Sequence, residues 1–248
     1  MVRPRPLAAT GGAAIVTLTL LLLTAPALAQ LERLLRSLPQ IPQEPAAGLS
    51  DARLGSALKE ALEVATANAV ALTGKTDGYF LNQAIKILMP EKLRTLETGL
   101  RMVGYGSAVD DFVLSMNRAA ERAAPAAKQI FGDAIGEMTF DDARKILQGN
   151  ETAATDYFKA KTTDRLTAAF HPVVERAMNE VGVTRQYEEL LGSARALPFF
   201  KSGSLDLDGY VVGKALHGLF TVVADEERKI RTNPAARVTD LLREVFAK

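Results

Sequence analysis

The chain contains no cysteine and no tryptophan, only two histidines, and aromatic residues make up 6% of its 248 positions. Each shortage removes a class of function. Without cysteine there is no disulfide framework, no thiolate metal site and no lipid attachment at a processed cysteine. Without tryptophan and with few other aromatics, a carbohydrate-stacking platform has little to be built from. His171 stands beside Pro172 and His217 within an apolar stretch, and neither has an acid at the spacing of a zinc motif, so no metal site is expected. An excess of one charge is also missing: 30 Lys+Arg against 29 Asp+Glu gives no concentrated basic surface for nucleic acid. No motif implies a cofactor.

The N-terminal stretch carries the clearest positive signal. Arg3 and Arg5 form a short basic start, Ala13 to Leu23 is largely apolar and free of charge, and Ala27-Leu28-Ala29 offers small residues where a signal peptidase reads. A secretory signal over residues 1–29 is therefore expected, cleaved between Ala29 and Gln30, with a periplasmic destination. Its apolar core is shorter than the about 20 residues of a permanent span, and no other segment comes close. Loss of Arg3 and Arg5 leaves the mature chain slightly acidic. It remains long enough for a substantial apolar core without staples.

Pro39, Pro42 and Pro45 deny the backbone consecutive helical bonds, so residues 30–48 read as an arm or linker and 49–248 as a single all-helical domain. Ser50 is placed to cap a helix carrying Leu54, Leu58, Leu62, Ala65, Ala69 and Leu72 at spacings of three and four, closed by Gly74. Lys75 to Met89 is the least regular stretch, and whether Tyr79 to Met89 forms a lid is open. Pro90 opens the next helix. Ser107 is expected to cap the segment bearing Val109, Phe112, Val113 and Met116, which ends before Pro125. Ile130, Phe131, Ala134, Ile135 and Met138 mark another helix. Thr139 and Asp142 form a capping box with Asp in place of Glu, ahead of a stripe of Phe140, Ala143, Ile146 and Leu147 that stops at Gly149.

The pattern from Ala153 through Val181 is longer, with Pro172 expected to kink or divide it. A helix over Arg185 to Arg195 follows. Asp206 or Asp208 starts the penultimate helix, with Val212, Leu216, Leu219, Phe220 and Val223 inward, and Asn233-Pro234 opens the last. No β-alternation is convincing. The expected fold is all-α, a compact multi-helix bundle of about nine or ten helices.

Two motif matches fail on context. Ala69 to Thr76 satisfies a loose phosphate-loop pattern, but a helix precedes Gly74 and a turn follows Lys75, the reverse of the strand-loop-helix order that aims amides at phosphate. Ser204, Asp206, Asp208 and Gly209 imitate a calcium loop whose closing glutamate position is Ala215, so a helix N-terminus is the better reading. There is no Gly-x-Ser-x-Gly elbow.

Polar clusters remain. Asn117, Arg118 and Glu121, together with Glu226, Glu227, Arg228, Arg231 and Arg237, form the candidate ligand- or partner-binding set, either a packed ion-pair network or a docking surface. Pairs spaced by three or four residues, such as Glu227 with Arg231, fit one helix face. An alternative is a carboxylate-based hydrolase or lyase drawing on Asp110, Asp111, Asp141, Asp142, Glu226 and Glu227, with arginine as electrostatic stabiliser. Convergence of three or more of these in one concave pocket is the mark of that reading.

Four phrases occur in order: Asn117-Arg118-Ala119-Ala120-Glu121, Met138 to Ala143, Ala153 to Phe158, and the run from Asp225 to Arg237. Together they resemble the bacterial domain of unknown function 4197 family, from about Leu49 to the end. The resemblance implies an exported helical protein of Gram-negative type and carries over no catalytic or binding residue. The reading that joins these strands is a periplasmic binding or scaffold protein, without recognisable catalytic machinery, for an apolar or lipid-like ligand or a partner protein of the envelope. A structural envelope protein is a further possibility.

Overall fold

Leu58, Ala61, Leu62, Ala65 and Ala69 recur at three- and four-residue spacing and wind into one buried stripe of helix α1, Asp51–Gly74. The computed structural model describes residues 51–180 and 206–232. After α1 come α2 (Arg94–Met102), α3 (Gly106–Ala123), α4 (Ala127–Gly136), α5 (Phe140–Gln148), α6 (Ala153–Glu180) and α7 (Leu207–Thr232), with short 3-10 turns at Glu91–Leu93 and Ala124–Ala126. The fold is all-α, with no strand among the described residues.

Seven α-helices stand there rather than nine or ten. Pro172 does not divide α6, and the helices expected at 185–195 and after Asn233 lie outside the described residues, as do the 30–48 arm, Ser50 and the leader. Pro172 is tolerated because it and Ala168, whose carbonyl loses its donor, are both exposed, so water can serve that oxygen.

Helix α7 is the spine, packed against α6, α1 and α3, while α3 also lies along α6 and α1 carries α4 and α5. Val212, Leu216, Leu219, Phe220 and Val223 all face inward as the periodicity requires. Phe131 of α4 meets Phe158 of α6 edge-on at 5.1 Å and Phe220 of α7 at 6.2 Å, which knits three helices at one point. The corner between α3 and α4 is tight because its inner residues, Ala119, Ala120, Ala123, Ala124 and Ala127, are all small and fully buried.

The irregular stretch 75–89 is a packed strap rather than a loose loop. Tyr79, Ile85, Ile87 and Met89 are buried in the core. Tyr79 lies over Gly218 of α7 so closely that a Cβ there would stand 2.6 Å from Tyr79 Cε1. The Tyr79 hydroxyl donates to the Ala215 carbonyl at 2.6 Å.

Helix ends show where local chemistry decides. Thr139 and Asp142 form the expected reciprocal box: the Asp142 amide donates to the Thr139 hydroxyl at 3.1 Å and the Thr139 amide to Asp142 Oδ2 at 3.1 Å. Asp206 caps α7, its Oδ1 accepting from the Gly209 amide at 2.8 Å. Pro90 precedes a 3-10 turn, and α2 begins only at Arg94. Ser107 does not cap α3. Instead α2 ends in a Schellman turn through Gly104 at φ +93°, with the Tyr105 amide donating to the Leu100 carbonyl at 2.9 Å, and α3 starts at Gly106 with no side-chain cap. Phe140, expected on the buried side of α5, is 63% exposed. As the first residue of α5 its side chain points back past the helix start, where it rests against Gly55 of α1.

Two outcomes follow from these contacts. Gly218→Ala should overpack the Tyr79 contact and cost about 1–3 kcal/mol, read from the urea midpoint. An unchanged midpoint would mean that the strap is not seated on α7. The Thr139 hydroxyl and amide hold the Asp142 carboxyl below the usual carboxylate range. Its folded pKa is lower than its unfolded one, so its stabilisation is complete above an unfolded value of about 4 and fades as pH falls through the folded value. The stability gap between wild type and Asp142→Asn, at most about 1 kcal/mol for an exposed cap, should narrow on acidification, and a gap that widens contradicts the box.

Candidate functional site

The candidate residues on α7 fasten helix ends. Ala154 and Thr155 lie in the first turn of α6, where backbone amides have no helical acceptor. Glu227 supplies one from α7: Oε1 accepts the Ala154 amide at 3.0 Å, and Oε2 accepts the Thr155 amide at 2.9 Å and the Thr155 hydroxyl at 2.8 Å. The carboxylate thus sits at the positive end of the α6 dipole. One turn on, Arg231 binds Glu227 Oε1 through Nε at 3.1 Å and Nη2 at 2.9 Å, and the same Nη2 donates to the Ile146 carbonyl in the last turn of α5 at 2.8 Å. A cation therefore meets the negative end of α5 and an anion the positive end of α6. Glu227 is buried at 4% exposure, so its bonds to Ala154 and Thr155 are shielded from water, while those of Arg231 are partly so.

The neighbouring residues divide by face. Glu226, also buried, accepts from Asn68 of α1 at 3.1 Å and from Lys229 at 2.6 Å. Arg228 is on the wet side, with Asp225 at 2.8 Å and Glu151 at 3.6 Å. Arg237 lies outside the described residues.

Asn117, Arg118 and Glu121 of α3 form a second, separate bracket that holds the strap. Glu121 Oε1 accepts the amides of Tyr79 at 3.1 Å and Phe80 at 3.2 Å. Its other oxygen takes Arg118 at 2.6 Å, and Arg118 reaches on to Asp77 at 2.7 Å. Asp77 needs that anchor, being held at φ +66°. Asn117 imitates a backbone unit: it accepts the Ile87 amide and donates to the Ile87 carbonyl, each at 2.8 Å. The bonds from Glu121 raise the Arg118 pKa, and burial beside the Glu121 charge pushes the Tyr79 phenol upward, so it stays neutral.

The carboxylates of the hydrolase reading do not converge. Asp110 pairs with Arg101 at 2.7 Å, Asp141 with Arg144 at 3.1 Å, and Asp142 serves the capping box. Asp111 is on the exposed face of α3, and Glu226 and Glu227 are committed as above. A shallow cleft of about 310 Å³ between the strap and α7 includes Asp77, Asp225 and Glu226, but each already has a cationic partner: Arg118, Arg228 and Lys229. His171 and His217 are exposed on α6 and α7, and among the described residues no group of three or more His, Cys, Asp or Glu stands close enough to hold a metal. Gly74 ends α1 and a turn follows, so the phosphate-loop match has neither strand nor following helix.

One concavity was not anticipated. A groove of about 330 Å³ runs between the strap, α2 and α3, with Phe80, Leu88, Met89 and Val113 on its apolar side and Lys86, Arg94 and Arg101 on its charged side, where Glu97 and Asp110 also stand. The Lys86 ammonium stands 4.1 Å from the centre of the Phe80 ring. The signal was faint: residues 85–89 alternate buried and solvent-facing in an extended run too short to call a strand.

Comparison with protein families places these parts together. The sequence model described as "Protein of unknown function (DUF4197)" matches residues 48–247, most of the chain. The chain belongs to the DUF4197 family. No curated protein and no solved structure matches it. Within this DUF4197 chain, two of the phrases that carried the resemblance interlock, the run after Asp225 capping the phrase that begins at Ala153, while Asn117 and Glu121 of a third hold the strap. No helix among the described residues is long and apolar enough to cross a membrane.

Removing one side of the Glu227 bracket should be severe. Glu227→Ala strands two buried amides and takes the carboxylate from Arg231, at about 3–5 kcal/mol. In a double-mutant cycle with Arg231→Ala the two losses should be sub-additive by more than about 1 kcal/mol. Strict additivity would mean that the pair does not act as one unit.

Proposed function

We propose that this DUF4197 chain is a non-catalytic binding protein of the bacterial envelope, exported by cleavage after Ala29, with residues 30–48 as an arm and the domain from residue 49 onward holding an apolar ligand or a partner protein. The observation that carries this reading is the fate of its polar residues. The carboxylates from which an acid-base centre would be assembled are spread over α3, α5 and α7: Asp110, Asp141, Asp142, Glu226 and Glu227 are bonded to helix ends or to neighbouring cations, and Asp111 faces solvent. What stays open to a ligand is the groove beside α2, whose size lies at the lower end of the range for small-molecule sites. The leader-like sequence, with basic start, apolar centre and small residues at 27 and 29, supports the envelope as its place of work.

The test is native mass spectrometry of the protein expressed with its own leader in a Gram-negative host and recovered from the periplasmic fraction, after in-cell cross-linking. The expected result is a chain starting at Gln30 that carries a bound small molecule or a cross-linked partner. Recovery of intact chain in the cytosol would overturn the export reading, and a processed chain with neither ligand nor partner would overturn the binding reading.

A further inference from the structure

We propose that the groove between the strap, α2 and α3 binds the head of a single-chain amphiphilic anion, a carboxylate or phosphate monoester on an aliphatic tail, with Lys86 as the residue that takes the negative charge. The inference rests on the binding reading above and names its ligand class.

The cations of the groove are unequally matched. Its Arg101 lies between two carboxylates, Asp110 at 2.7 Å and Glu97 at 3.1 Å, bonds that also raise the Arg101 pKa. Among the described residues Arg94 meets the carboxylate of Glu91 alone, at 3.4 Å with both side chains well exposed, a pair that solvent screens. Lys86 has no carboxylate within ion-pair distance among those residues and is seated on the Phe80 ring while half-buried. A ring face stabilises an ammonium without satisfying its three donors. An anion arriving from the open side would do so.

Lys86 is also held in place. The Lys86 amide donates to the Asn82 carbonyl at 2.8 Å, Ile87 is bonded at both its amide and its carbonyl by Asn117, and the Leu88 carbonyl accepts the Tyr210 hydroxyl at 2.9 Å. In this clamped extended run Ile85, Ile87 and Met89 turn to the core, so Lys86 and Leu88 emerge on the same side. Leu88 is 55% exposed beside that cation, an apolar group with no partner on its outer face. A charged head on Lys86 thus places the first carbons of a tail on Leu88, with Phe80 and Val113 behind. Such a site is preorganised, so little ordering is required of the protein on binding. A single short chain suffices to fill a groove of about 330 Å³, and the ligand proposed is a free amphiphile, with bilayer lipid as the contrary outcome that vesicles would reveal.

The experiment is isothermal titration calorimetry of the processed full chain with dodecanoate, dodecyl phosphate and dodecanol below their aggregation limits, alongside sedimentation with phosphatidylglycerol vesicles. The inference expects one site per chain for both anions, dodecanol at least about tenfold weaker, and no sedimentation with vesicles. Lys86→Ala should weaken the anions about tenfold, equal to about 1.4 kcal/mol, and leave dodecanol unchanged. Leu88→Asp should weaken all three, and Lys75→Ala, in the other cleft, none. Circular dichroism melts confirm that each variant is folded. Equal affinity for dodecanol and dodecanoate, or a silent Lys86→Ala, would overturn the anion site while leaving a groove that binds. Vesicle binding without monomer binding would assign the surface to bilayers and overturn it as well. Failure of every amphiphile, with a ligand or partner still present on envelope-extracted protein, would overturn this inference alone.

Discussion

Two backbone amides at the start of α6 and a carbonyl at the end of α5 face the interior, where water cannot reach them, and Glu227 with Arg231 answers all three. Without that pair the α5–α6 junction would bury unmatched polar groups at about 1–3 kcal/mol each, and the end of α7 would rest on its contacts with α1. The arrangement is favourable because three electrostatic terms agree: the ion pair, the positive end of α6 under the carboxylate, and the negative end of α5 under the guanidinium. A buried charge that would ordinarily be a liability is fully bonded.

The bracket on α3 follows the same principle with a different object. Glu121 and Asn117 lend acceptors and donors to a segment that has no helix of its own, so the strap can cross the core without stranding its backbone. A cysteine-free chain has no covalent tie to hold such a segment. Packing of Tyr79 on Gly218 and the hydrogen bonds from α3 act in its place. They also fix the outer edge of the strap, and the position of Lys86 and Leu88 above the groove is a consequence of that internal bonding.

Much of this was legible where the signal is local. The α7 stripe, the Thr139 box and the close pairs Arg118–Glu121 and Glu227–Arg231 depend on spacings of a few residues and stand as read, whereas the α1 stripe holds from Leu58 to Ala69 and leaves Leu72, expected on it, 39% exposed. The partners that give those pairs their meaning are 41 positions away for Phe80 and 73 for Ala154, a distance across which no periodicity speaks. Ser107 was misread because a Schellman turn through Gly104 had already set the chain direction, and Phe140 because a residue at the first position of a helix overhangs its own stripe. The groove escaped notice because it is assembled from three unremarkable stretches. Of the candidate binding residues, Asn117, Arg118 and Glu121 hold the strap while Glu227 and Arg231 hold the α5–α6 junction, and those described are not gathered around a common cavity.

Amide hydrogen exchange at Ala154 and Thr155 tests the central claim most directly, since amides in the first turn of a helix ordinarily exchange fast. The account predicts protection at both positions comparable to that of the buried middle of α6, lost together in Glu227→Gln. Rapid exchange of both amides in the wild-type protein would contradict it.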